Sequence, residues 1–129
     1  MSSSDGADFN RWVAASFADS GGFTVLIILL EIGGDKVTPL TCSHLHFVGP
    51  DVKWREMRDL LDRSGKKWQG AAFFVAKAPG GGPVADFVAQ AQLQSRAEEV
   101  IMNRMRLNDA ALFDRRGRLF RVDPVEGTA

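Results

Sequence analysis

The sequence predicts a single domain, residues 1–129, of the α+β or α/β class. Its length of 129 residues is that of one ordinary domain. Short apolar runs typical of strands alternate with amphipathic stretches typical of helices, and glycine-rich turns separate them. We therefore expect a mixed sheet of about five strands with two to three packed helices, in the order α-β-β-α-β-α-β-β. Residues 1–7 and 124–129 are expected to be loose tails.

The first half of the chain predicts a helix and a hairpin. Residues 8–18 carry apolar side chains at helical spacing, and glycines follow them. Residues 23–32 form an apolar run that predicts a buried strand, and the glycines of the segment 33–36 suit a tight turn. Residues 37–48 then form the returning strand. Pro39 lacks a backbone N–H, so we expect it at a sheet edge or a bulge.

The second half predicts a helix over residues 52–64 and a central strand over 68–78. A long helix from Val84 to about Leu107 follows, with a middle rich in glutamine and serine. A short hairpin around residues 114–117 ends the fold. We expect the connection through the long helix to be a right-handed parallel crossover, which would make the sheet mixed.

Composition narrows the class of protein. The formal net charge is zero, and no apolar run approaches the roughly 18 residues that a membrane helix needs. The lack of such a run leads us to expect no membrane association. The single cysteine allows no intramolecular disulfide, so we expect a reducing, cytoplasmic location. Charge is distributed unevenly, since residues 1–52 hold two basic and six acidic groups, and residues 53–121 hold fourteen basic and eight acidic groups. This asymmetry favours an acidic partner or self-association.

The stretch "TCSHLHF" contains the first candidate site. Cys42, His44 and His46 alternate along a predicted strand, so their side chains share one face. Imidazole nitrogen and thiolate sulfur are zinc ligands, and a further carboxylate ligand would make the site catalytic, as in a metal-dependent hydrolase. The carboxylates considered for that position are Glu31, Asp35 and Asp51. Two alternatives are a Cys42 nucleophile activated by His44, and an ordinary polar face of an edge strand without cofactor.

A glycine run suggests a second candidate site. Gly80, Gly81 and Gly82 precede a predicted helix start, where backbone amides attract phosphate or carboxylate. Gly80, Gly82 and Ala85 match the dinucleotide pattern G-x-G-x-x-A, although Pro83 removes one amide. The alternative is a flexible connection, and the absence of Lys-Ser or Lys-Thr after the glycines excludes a Walker-type phosphate loop.

Basic residues near the C-terminus suggest a third candidate site, for nucleic acid. Converging arginines could follow a phosphate backbone, but acidic residues are interleaved with them, which favours a salt-bridged surface. The arginines considered are Arg104, Arg106, Arg115, Arg116 and Arg118.

Taken together, these features favour a small binding or regulatory domain over an enzyme. No residue pattern supplies a complete catalytic set, whereas hairpins and a polar-centred helix can form an interaction surface. We expect a protein partner, with the chain itself as a homodimer through its long helix or an edge strand. A metal-dependent hydrolase and a nucleic-acid-binding protein are the alternatives.

Overall fold

The computed structural model describes residues 6–33, 36–49 and 51–122. The strands are β1 Phe23–Gly33, β2 Lys36–Phe47, β3 Gly70–Ala76, β4 Ala111–Asp114 and β5 Leu119–Phe120. The helices are α1 Ala7–Ser20, α2 Trp54–Asp62, α3 Asp86–Met102 and a 3₁₀ helix, Arg104–Asp109. This order confirms the predicted α+β fold. Residues 1–5 and 124–129 of the predicted tails, and residues 34 and 35 of the first predicted turn, lie outside the described residues.

The five strands form one sheet in the order β2-β1-β3-β4-β5, and every described pairing is antiparallel. The predicted parallel crossover, and with it the mixed sheet, is wrong. The reason is the direction of α3, which begins beside His46 of β2 and places Arg96 over the ring of Phe74 in β3. Because α3 crosses the strands instead of running along them, β4 enters at the end of the sheet where β3 left it.

Strand β1 lies between two hydrophobic cores, one on each face of the sheet, and contributes side chains to both. Its residues from Phe23 to Leu30 are all buried, and β2 and β3 flank it on either side. Since side chains alternate along a strand, one set packs against α1 and α2 and the other against α3 and the 3₁₀ helix. The first set is Phe23, Val25, Ile27 and Leu29, and the second is Leu26, Ile28 and Leu30.

Aromatic rings dominate the core beneath α1 and α2. Phe9 of α1 is fully buried and makes edge or tilted contacts with Trp54, Phe73 and Phe113. Rings in these arrangements add attraction beyond the area that they bury. Gly117 has a φ of 73°, and a Cβ there would lie only 2.7 Å from the Cα of Gly6. A glycine is therefore required where the β4–β5 turn meets the start of α1.

Two local features depart from regular geometry. Pro39 lies in the edge strand at a bulge, since Leu29 pairs with Thr41 and Leu30 with Pro39. Both predicted explanations for Pro39 thus apply. The long helix predicted to reach Leu107 ends at Met102, because Asn103 is extended and its side chain accepts a hydrogen bond from the Met105 amide, which starts the 3₁₀ helix. No described helix has the length and apolar composition to cross a membrane.

We predict that Leu29→Asp unfolds the domain. The Leu29 side chain is 3% exposed in the core under α1 and α2, and an unpaired carboxylate there costs about 3 kcal/mol or more. Urea denaturation followed by circular dichroism measures this loss. Val48→Asp is the matched control, because Val48 is 80% exposed and its substitution should change stability by less than about 0.5 kcal/mol. A Leu29→Asp protein as stable as the parent would contradict the described register.

Candidate functional site

The edge strand β2 presents Cys42, His44 and His46 on the face of the sheet that carries α3. They pair with Ile28, Leu26 and Thr24 of β1, respectively. Leu26 and Ile28 belong to the core beneath α3, so the β2 side chains opposite them point toward that helix. The side chain of His44 is 18% exposed and that of His46 is 34% exposed. Both rings are therefore partly enclosed.

The first residue of α3, Asp86, joins the two histidines. Its Oδ1 atom lies 2.6 Å from Nε2 of His46 and 3.3 Å from Nε2 of His44. The ligand atoms of these three residues all lie within 4.8 Å of one another, and Cys42 lies outside this group. We call His44, His46 and Asp86 the histidine cluster.

Two of the carboxylates considered from the sequence, Glu31 and Asp51, do not contribute to the histidine cluster. Glu31 pairs with Thr38 near the opposite end of β1 from Thr24, and Asp51 precedes α2. Asp35 lies outside the described residues. Asp86 was missed because it is separated by 40 residues from His46. The only local signal was its position at the predicted start of a helix, where acidic residues are common for other reasons.

Thr24 supports the histidine cluster from the interior. It is fully buried, and its Oγ1 atom lies 2.8 Å from Nδ1 of His46. The same oxygen accepts a hydrogen bond from the Val84 amide at 3.1 Å. Thr24 thus connects β1 both to the ring of His46 and to the segment that leads into α3. This connection explains why a polar residue is buried at the start of an apolar strand.

Hydrogen bonds from the histidines stabilise the ionised form of Asp86. The bond from His46, followed by that from His44, lowers the pKa of the Asp86 carboxyl below its usual range. In a neutral His46 ring, Nε2–H donates to Asp86 and Nδ1 accepts from the Thr24 hydroxyl, which follows from the partners of the two nitrogens. The partners therefore define one tautomer of the neutral ring.

Cys42 does not have the environment of an activated nucleophile. Among the hydrogen bonds between described residues, none joins Cys42 to His44. Desolvation raises the pKa of the Cys42 thiol, which keeps the sulfur protonated near neutral pH. The Cys42 nucleophile proposed from the sequence thus has no activating contact in the described part of the chain.

The glycine run forms a compact turn between β3 and α3. Gly80, Gly81 and Gly82 all have positive φ, the conformation that glycine adopts most readily. Within this turn the Ala78 amide donates to the carbonyl of Gly82, and the Gly81 amide donates to the carbonyl of Ala78. These two amides are used inside the loop, which directs the chain toward Thr24. Anion binding by the three glycines stays a prediction.

The five arginines do not form one surface. Arg104 and Arg106 belong to the 3₁₀ helix on the α3 side, whereas Arg115, Arg116 and Arg118 belong to the β4–β5 turn and its flank. Several pair with carboxylates. The pairs are Arg106 with Glu99 and Asp109, Arg115 with Asp62, and Arg118 with Asp114. The Arg115 guanidinium also stacks on the Trp68 ring at 4.3 Å. These contacts resemble a salt-bridged surface more than a phosphate-binding groove.

The outward side of α3 carries large exposed apolar residues. Phe87 is 75% exposed, Ile101 72% and Met102 86%. Exposed positions recur at alternating intervals of four and three, which places them along one ridge of the helix. We call this set the α3 ridge: Phe87, Ala91, Gln94, Glu98 and Ile101. Its middle is polar, as the sequence predicted.

The α3 ridge begins beside the histidine cluster, because Phe87 directly follows Asp86. The Asp86 side chain is 72% exposed, so the cluster opens to the surface rather than into the core.

No family model, no curated protein and no solved structure matches the chain.

We predict that the Thr24 hydroxyl holds the segment before α3. Thr24→Val removes the acceptor of the Val84 amide and should lower stability by about 1–3 kcal/mol, the cost of a buried unpaired donor. Hydrogen exchange by NMR should show fast exchange of the Val84 amide in Thr24→Val. Thr24→Ser keeps the hydroxyl and should retain protection of that amide. Equal exchange in the two variants would contradict this role.

We predict that Asp62 contributes stability that disappears in acid. Hydrogen bonds from Arg115, with a further one from the Trp68 indole, lower the pKa of Asp62 below its ordinary value of 3.8. Because the unfolded state takes up the proton first, this contribution is present above pH 3.8 and is lost as the pH falls through the folded-state pKa. Near neutral pH, Asp62→Asn should lower stability by about 0.5 kcal/mol, a small effect because solvent screens the pair. If the urea midpoint of Asp62→Asn differed from that of the parent by the same amount at neutral and at strongly acidic pH, this assignment would be contradicted.

Proposed function

We propose that this chain is a self-associating binding domain and that the α3 ridge is its contact surface. The observation that carries the proposal is the ridge of exposed positions at heptad-like spacing, with large apolar side chains at both ends. Such a ridge is the surface by which one helix packs along another. The partner that we propose is a second copy of the same chain.

The ridge is complementary to itself when two copies of α3 run antiparallel. A two-fold axis at Gln94 places Phe87 opposite Ile101 at each end of the pair. The same axis places Gln90 opposite Glu98, so an amide can donate to a carboxylate. Apolar ends therefore meet apolar ends, and the polar middle meets a polar middle. Antiparallel alignment also brings opposite ends of the two helix dipoles together.

The expected affinity is modest. Burying a large apolar side chain is worth roughly 1.5–3 kcal/mol, and a pair would bury Phe87, Ile101 and part of Met102 from each copy. Association itself costs at least about 4 kcal/mol in lost freedom of motion, and often more. The balance favours a reversible dimer with a dissociation constant on the order of micromolar. This strength suits a regulatory contact.

The two alternatives from the sequence have less support. Nucleic-acid binding needs arginines that converge, whereas three of the five candidates pair with nearby carboxylates and the set is divided between two regions. A Cys42-containing hydrolase site has less support because Cys42 lies outside the histidine cluster. The histidine cluster shares no residue with the α3 ridge.

We predict that Phe87→Glu weakens dimerisation by at least about tenfold, since a two-fold contact introduces the charge at both ends. Sedimentation equilibrium measures the dissociation constant. Leu119→Glu is the matched control, because Leu119 is also exposed but belongs to β5, away from α3. Its dimerisation should equal that of the parent. Circular dichroism checks that both variants are folded.

A charge-exchange experiment tests the register of the pair. Phe87→Glu and Ile101→Lys should each be mostly monomeric, while their mixture should form a heterodimer. In that heterodimer one end regains the Phe87 to Ile101 contact, and the other holds an opposite-charge pair. A monomeric parent at about millimolar concentration would refute self-association. A mixture that stays monomeric would refute the antiparallel register.

A further inference from the structure

We infer that the histidine cluster binds a first-row divalent transition cation, with zinc as the reference ion. Two imidazole nitrogens and one carboxylate oxygen are a common ligand set for such ions. Mg²⁺ and Ca²⁺ prefer oxygen ligands, so the two nitrogens favour zinc, cobalt or nickel. This site is independent of the α3 ridge and of any self-association.

The distances suit a shared ion. Nε2 of His44 and Nε2 of His46 both approach the same oxygen of Asp86, at 3.3 Å and 2.6 Å. Zinc bonds to nitrogen and oxygen of about 2.0–2.1 Å separate neighbouring tetrahedral ligands by roughly 3.3 Å. The separations needed fall within the 4.8 Å that encloses the three ligand atoms. Small side-chain adjustments would suffice, and the exposed Asp86 side chain has room to make them.

Thr24 provides the support that metal-binding histidines usually have. A histidine that binds a cation through Nε2 carries its proton on Nδ1 and donates it to a fixed acceptor. Oγ1 of Thr24 lies 2.8 Å from Nδ1 of His46 and can accept a hydrogen bond from the Nδ1–H group. The change from the cation-free tautomer needs only rotation of the Thr24 hydroxyl and relocation of one proton from Nε2 to Nδ1. The burial of Thr24 keeps its oxygen in place.

Local charge also favours a cation. Asp86 carries a full negative charge near neutral pH, whereas the start of α3 contributes only about half a positive charge. The negative charge of the carboxylate is therefore larger than the opposing partial positive charge at the start of α3. Three protein ligands leave at least one coordination position for water or for another ligand, as in open metal sites. The site is thus suited to binding an exchangeable ligand as well as the ion.

The test is a titration with Co²⁺ and Zn²⁺ in a Cys42→Ser background. This substitution removes the only thiol of the chain, which is an alternative metal ligand close to the cluster. Visible absorption reports Co²⁺ coordination, isothermal titration reports Zn²⁺ affinity, and native mass spectrometry reports the number of ions. We expect one ion per chain and an affinity equal to that of the parent. Excess Mg²⁺ should not displace it.

Substitutions assign the ligands. Asp86→Asn keeps the shape of an exposed side chain and should weaken binding at least tenfold, as should His44→Ala and His46→Ala. Thr24→Val should weaken binding by about 10–100-fold, the usual effect of losing a supporting hydrogen bond. Asp59→Asn is the matched control, because Asp59 is also exposed but belongs to α2, and it should leave binding unchanged. Thermal unfolding of each variant checks that it is folded.

Two results would overturn the inference. The first is a folded Cys42→Ser protein that binds no stoichiometric Co²⁺ or Zn²⁺. The second is binding that persists unchanged in Asp86→Asn and His46→Ala. In either case the histidine cluster would be a hydrogen-bonded clamp between β2 and α3 without a cation. Failure of dimerisation would leave these measurements unaffected, so the two proposals stand or fall separately.

Discussion

Burial of β1 on both faces is the constraint on which the rest of the fold depends. Its apolar run is flanked by strands on both sides, so it can only be covered by helices above and below the sheet. Alternate side chains of the run then organise two separate cores. The polar exception, Thr24, lies near the beginning of this strand. A buried hydroxyl needs hydrogen-bond partners, and it finds them in the edge strand and in the segment that enters α3.

The Thr24 contacts determine how α3 is placed. Only Ala89 and Val100 of α3 are buried, so its apolar contact with the sheet is limited. Polar contacts at its start compensate, through the Val84 amide on Thr24 and the Asp86 carboxylate on His46. From this fixed beginning beside β2, α3 extends across the sheet to β3, where Arg96 lies over the Phe74 ring, and its outer ridge stays exposed. The residues that fix the start of α3 thus include those of the histidine cluster.

Local patterns in the sequence predicted much of the fold but not its topology or its cluster. Apolar spacing and glycine positions were enough for the order of elements, and the missing amide of Pro39 was enough for an edge bulge. The direction of α3 was not predictable, because it depends on where a glycine turn delivers the chain. The same turn brings Asp86 to His46 across 40 residues of sequence, a contact that no local pattern encodes. Likewise, Arg115 pairs with Asp62 from a distant element, whereas Arg106 and Arg118 also have acidic partners within four residues in the sequence.

The weak burial of α3 also bears on what the histidine cluster does. A structural clamp alone would need one good hydrogen bond, and His46 with Asp86 already supplies it at 2.6 Å. His44 adds a second imidazole directed at the same carboxylate oxygen, at a longer distance of 3.3 Å. One oxygen facing two imidazole Nε2 atoms at an open surface is more than a clamp requires. That surplus of ligand atoms around one point is the observation on which the proposed cation site rests.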